Sequence, residues 1–119
     1  MIKKVNIGVI IGYGINADRE LVHAFELAGD NLANDESPQT EIFLTHINDL
    51  FSSPETIEDM HILAFPGGFS FGDHLGSGKI LAHQIKNRLK HSLTSFIKEK
   101  KIMIGICNGF QVLTKTGLL

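Results

Sequence analysis

The sequence is short of the features that usually announce a specialised class. A single cysteine, Cys107, among 119 residues excludes an internal disulfide and fits a reducing cytosol, so a cytoplasmic location is expected. No apolar run exceeds the length of a strand, so no membrane-spanning segment is expected. Met1-Ile2-Lys3-Lys4 starts with positive charge. Asn6 and Gly8 then interrupt the apolar stretch, and Gly12, Gly14 and Asp18 close it before a secretory leader is complete. The net charge is −2 with acids and bases interspersed, which offers no basic stripe to a nucleic-acid backbone. The six histidines form no i, i+4 pair on a convincing helix face with a third ligand nearby, so no metal is expected. Phosphate-binding signatures are also missing. Gly8 to Gly14 lacks G-x-G-x-x-G, and Gly76-Ser77-Gly78-Lys79 is only superficially similar to a P-loop. There is no repeat or low-complexity tract.

What is present is an ordinary globular composition, 43 % hydrophobic, and a regular alternation of elements. A domain of this size buries roughly two-thirds of the surface its unfolded chain exposes. Val5 to Ile11 is a β-branched run closed by Gly12-Tyr13-Gly14, which predicts a buried strand and a tight turn. Asn16 is placed to cap a helix in which Leu21, Val22, Phe25 and Ala28 recur at helical spacing, with Gly29 as its stop. After a polar loop, Thr40 to His46 forms a second strand. Ser53-Pro54-Glu55 supplies a cap, a first-turn proline and a first-turn acid for a short helix. His61 to Phe65 is the third strand, ended by Pro66-Gly67-Gly68, and Phe69 to Gly78 is a glycine-rich loop. A long helical pattern runs from Lys79 to about Lys100, with a drift in its apolar seam near Leu89–Ser92 that marks a bend. Ile102-Met103-Ile104 is the fourth strand, and Val112 to Leu119 begin a final helix or turn.

Strands alternating with helices make βαβ units. The expected fold is therefore α/β, one domain over residues 1–119, with an open, mainly parallel, doubly wound sheet. Ligands of such sheets bind beyond the carboxyl ends of the strands. Three loops meet there: Gly12–Asn16, Pro66–Gly78 and the segment after strand four. If further strands normally lie beyond strand four, that edge is open to pairing.

The segment after strand four carries the chemistry. Gly105-Ile106-Cys107-Asn108-Gly109-Phe110-Gln111 reads as strand, small residue, nucleophile, small residue, helix, the plan of a nucleophile elbow. A lone cysteine after a buried strand is most often an inert core residue. Glycines close on both sides shift the balance, because an ordinary core strand has no use for a backbone cleared around one side chain. A helix starting there also sets unpaired N–H groups beside the sulfur, where they stabilise negative charge. Attack on a carbonyl needs two preorganised donors for the oxyanion. The N–H of Asn108 is one candidate, and an N–H within Pro66-Gly67-Gly68-Phe69 is the other. Gln111, one helical turn beyond Cys107, faces the same mouth.

The elbow resembles the G-x-C-x-G-x-Q nucleophile motif of class I glutamine amidotransferases. Pro66-Gly67-Gly68-Phe69-Ser70-Phe71-Gly72-Asp73 looks like the loop of the glutaminase component of phosphoribosylformylglycinamidine synthase. Gly14-Ile15-Asn16-Ala17-Asp18-Arg19-Glu20 is similar to that component's first strand–helix turn, with Ala17 where a cysteine is common. The resemblance runs in order along essentially the whole chain and implies a flavodoxin-like sheet. It also implies that Cys107 attacks the side-chain amide of glutamine, with Gly67, Gly68, Phe69, Asn108 and Gln111 as oxyanion and substrate-binding residues. Ammonia would pass to a synthetase component that uses ATP to make formylglycinamidine ribonucleotide, and this chain would need no metal or organic cofactor.

Members of the family use a histidine followed two residues later by a glutamate as base and orienting group. None of His23, His46, His61, His74, His83 or His91 has that neighbour, so the chain is read as the amino-terminal portion of such a domain. Two other readings stay open: a non-catalytic docking module of the same fold, and a thiol hydrolase or redox sensor built on the same elbow.

Overall fold

The computed structural model describes residues 4–12, 14–32, 37–68 and 78–118. Four strands, β1 (Lys4–Ile11), β2 (Gln39–His46), β3 (Ile62–Phe65) and β4 (Ile102–Gly105), form one sheet in the order β2-β1-β3-β4. Every pairing is parallel, with Ile7 opposite both Ile42 and Ile62, and Ala64 opposite Ile104. Parallel neighbours require crossovers, which the helices supply: α1 (Asp18–Leu32), α2 (Ile47–Ser52), α3 (Lys79–Arg88), α4 (Lys90–Lys98) and α5 (Asn108–Thr116). This is the open doubly wound sheet that the alternation predicts. The sheet reverses direction at β1, whose two neighbours lie on opposite sides, so β1 and β3 flank the switch point where such folds bind ligands.

The two faces are unequally covered. Ile10, Leu63 and Phe65 point into the larger core with Ile47, Leu50, Ile57, Leu81, Ile85, Leu93, Phe96 and Leu113, all buried. The opposite face buries only Ile7, Val9 and Ala64, packed beneath Leu21, Val22 and Phe25 of α1. No residue of α1 is itself buried. By register, Leu44 and Ile102 belong to this thinner side, and each is 55 % exposed.

Several local expectations are corrected. Gly29 does not stop α1, which continues to Leu32; a Cβ at Gly29 would stand 2.7 Å from Thr40 Oγ1, so glycine serves the close approach of helix to β2. The residue before α1 is Ala17, not Asn16, and the Ala17 carbonyl accepts the Leu21 N–H. Residues 47–52 form α2, capped by His46 Nδ1 accepting from the Asn48 N–H at 3.1 Å, and the Pro54–Asp59 segment winds as a 3-10 helix. The bend expected near Leu89–Ser92 is present as a break at Leu89, whose φ of −118° separates α3 from α4.

The charges are segregated rather than interspersed. Residues 78–119 hold eight of the eleven Lys and Arg but only Glu99 of the thirteen acids. The helices α3 and α4 are accordingly basic, and the rest of the chain is acidic.

Candidate active site

Cys107 lies between the last residues of β4 and the first of α5, with φ 53° and ψ −114°. A Cβ in this region is crowded by its own backbone, so a non-glycine residue stays there only when its surroundings hold it. Two contacts do so. The Ile106 N–H donates to the Phe65 carbonyl at 3.1 Å, extending the β3–β4 ladder one residue past the strand. Gly109 then lets the first turn of α5 rest on the end of β3, since a Cβ there would overlap the Phe65 carbonyl oxygen and stand 2.9 Å from Phe65 Cβ. At Gly105 a Cβ would lie 2.7 Å from Leu113 Cδ1 and 2.9 Å from the Gly109 carbonyl. Both elbow glycines are therefore required by backbone-to-backbone packing, and the thiol emerges exposed.

The β3 loop reaches the same place. The Cβ position of Gly67 is 3.4 Å from Cys107 Cβ, 3.7 Å from the Ile106 carbonyl and 3.8 Å from Ala17 Cβ. The Gly67 carbonyl accepts the N–H groups of Asn16 (3.3 Å) and Ala17 (3.2 Å), and Gly68 bridges Ile15. The turns after β1, β3 and β4 thus meet at one edge. Asn108 is buried, and its Nδ2 donates to Gln111 Oε1 at 3.4 Å. The Gln111 N–H donates to the Cys107 carbonyl at 3.0 Å, which fixes this side chain within one turn of the sulfur. The first turn of α5 contains no acid, so its positive end faces the mouth uncompensated. Phe69, together with the Asp73 and His74 of its loop, lies outside the described residues.

Ala17 is the neighbour that sequence reasoning placed only in a motif, not in the site; its small side chain closes the wall opposite Gly67. His61 and His83 are engaged elsewhere. His61 Nδ1 accepts the Asn6 N–H at 2.9 Å, and His83 Nε2 pairs with Asn87 Nδ2 at 3.0 Å. Among the described residues, no group of three His, Cys, Asp or Glu side chains is arranged to hold a metal ion. No helix among them is long and apolar enough to cross a membrane.

A strained cysteine at a strand-to-helix turn, with a glycine backbone against it, is the geometry of a thiol nucleophile facing a carbonyl. The model of the CobB/CobQ-like glutamine amidotransferase domain matches residues 4–119. The chain belongs to this family. Among its relatives, a phosphoribosylformylglycinamidine synthase subunit PurQ from Methanococcus maripaludis is 47 % identical over 119 residues, which are 99 % of this chain and 40 % of the relative. The PurQ subunit of Dehalococcoides mccartyi is 42 % identical over 106 residues, 89 % of this chain and 38 % of the relative. The solved structure of PurLQS from Thermotoga maritima superposes with a TM-score of 0.69 at 28 % identity, covering 98 % of this chain and 46 % of that one. The amidotransferase chain thus spans less than half the length of the relatives it matches.

Proposed function

We propose that this chain carries the nucleophile and substrate cradle of a glutaminase that supplies ammonia for converting formylglycinamide ribonucleotide to its amidine in purine biosynthesis. The observation that carries the reading is the Cys107 turn, held at φ 53° against Gly67 in an amidotransferase domain. Cys107 Sγ attacks the side-chain carbonyl carbon of glutamine. The C–N bond breaks, nitrogen leaves as ammonia with the thiol proton, and water then releases glutamate from the thioester. The N–H of Asn108 and a backbone N–H of the Gly67-Gly68-Phe69 segment hold the oxyanion as it forms. Gln111 orients the amide. The ammonia acceptor is a synthetase component that binds ATP, and this chain works without metal or organic cofactor. The PurQ subunits it resembles and the PurLQS assembly support that partner.

A positioned base contributes roughly 10²–10⁴-fold to such a reaction, and the sequence contains no His-x-Glu pair to provide one. The isolated chain is therefore expected to bind glutamine at Cys107 without turning it over. The experiment follows alkylation of Cys107 by iodoacetamide with and without glutamine, alongside ammonia release. Protection by glutamine, but not by asparagine, with ammonia at background supports the reading. Alkylation indifferent to glutamine removes the cradle, and ammonia release abolished by Cys107→Ser shows that the chain already holds its base.

A further inference from the structure

The basic half of the molecule is organised. Lys79, His83, Lys86 and Lys90 follow one another at i, i+4, i+7 and i+11 along α3 into the start of α4, and all four are exposed. Lys79, His83 and Lys86 share one face of α3, about 10 Å long at 1.5 Å per residue, and Lys90, just past the break at Leu89, extends this stripe by lining one cleft with Lys86. Two open clefts flank it and share Lys86. One, of about 900 Å³, is lined by Lys79, Ile80, Ala82, His83 and Lys115. The other, of about 540 Å³, is lined by Arg88, Lys90, His91 and Thr94. Neither cleft includes Cys107.

Stability accounts for only part of this arrangement, the placement of Lys86 and Arg88 in the last turn of α3, where a cation is favoured. The lysines Lys79 and Lys90 occupy the first positions of α3 and α4, where the positive end of the helix disfavours a cation, and neither first turn contains an acid. Lys86, Arg88 and Lys90 gather like charges around one cleft. The described ion pairs are Lys4–Glu41 and Lys101–Glu99, both away from the stripe. Local rules broken together at one surface mark a surface used for binding.

We propose that this stripe docks an acidic segment of a protein partner. An acidic helix or strand of about the stripe's length matches it, and Ile80 in the cleft wall receives its aliphatic groups. A nucleic acid fits less well. The stripe has no Phe, Tyr or Trp to stack a base, and residues 1–77, which carry twelve of the thirteen acids, disfavour a longer polyanion.

The test titrates the 119-residue chain into a fluorescein-labelled alanine-based 14-residue peptide with glutamates at the same i, i+4, i+7, i+11 spacing. A shuffled peptide of equal charge and a 12-nucleotide single strand serve as comparisons. The expected result is 1:1 binding of the patterned peptide, at least fivefold tighter than the shuffled one. Binding should fall at least tenfold from 50 to 300 mM salt and at least tenfold in K86E/K90E. K98E, off the stripe, should change it less than twofold. K86E/K90E should melt close to the parent, because the acid gained at the start of α4 offsets the one placed in the last turn of α3. Three results overturn the proposal: binding within twofold of the parent in K86E/K90E, tighter binding of the oligonucleotide than of the patterned peptide, or a self-association in sedimentation that K86E/K90E abolishes.

Discussion

Replacing Cys107 by glycine should stabilise the protein. The residue holds φ 53° and ψ −114°, a conformation that costs a side-chain-bearing residue about 1–3 kcal/mol and that glycine adopts freely. Two terms oppose the gain. Glycine makes the unfolded chain more flexible, which costs about 0.4–1 kcal/mol, and the lost side chain forfeits some packing. The second term is small because the thiol is exposed. The balance leaves about 1 kcal/mol in favour of Cys107→Gly, a rise in Tm of about 4 °C for a domain of this size. Cys107→Ala is the reference, since it removes the sulfur and keeps the Cβ that creates the strain. Urea unfolding followed by far-UV circular dichroism gives both free energies. Lys100, at φ 61° after α4, provides an independent scale, because Lys100→Gly releases left-handed strain remote from the site. If Cys107→Gly is no more stable than Cys107→Ala while Lys100→Gly gains, the turn stores no strain and the elbow reading fails.

The two helical glycines should respond in opposite directions. Gly29→Ala gains up to about 1 kcal/mol of helix propensity and meets only Thr40 Oγ1, at 2.7 Å, on a side chain that can turn aside. Gly109→Ala meets the Phe65 backbone, which cannot, and should lose about 1–3 kcal/mol or more through overpacking; equal thermal stabilities of the two variants would contradict the packing of α5 on β3. On the larger core, Ile85→Ala at 0 % exposure should cost about 2–5 kcal/mol. Ile102→Ser at 55 % exposure should change stability by about 0.5 kcal/mol or less, and denaturant titration of the pair tests how unequally the two faces are covered.

The sheet was legible because buried parallel strands leave a strong mark: continuous β-branched or aliphatic runs closed by Gly or Pro, as at Ile11-Gly12 and Phe65-Pro66. The elbow was legible because its glycines are fixed by backbone packing and leave few alternatives. Helix ends were less so. Gly29 carries the usual signature of a stop, and only contact with Thr40 across the β2 crossover reveals why glycine lies inside α1. The helix α2 escaped because six residues hold too little periodicity to register, and its cap is a histidine, an uncommon choice. The segregation of charge escaped for a different reason. A whole-chain net charge of −2 averages two halves of opposite sign.

The position of Cys107 is dictated by β3 more than by its own strand. The Ile106 N–H donates to the Phe65 carbonyl, Gly109 admits the same carbonyl against the first turn of α5, and a Cβ at Gly67, two residues after Phe65, would lie 3.4 Å from the Cys107 Cβ. One short stretch of β3 therefore anchors the turn before the sulfur, the helix after it and the backbone beside it. The strain at Cys107 is tolerable because both sides of the turn are tied to this shared support, and relaxation on either side would break a ladder bond or lift α5 from the sheet. In the proposed reaction the same coupling matters, because any displacement of β3 carries the Gly67 backbone and the Cys107 turn together.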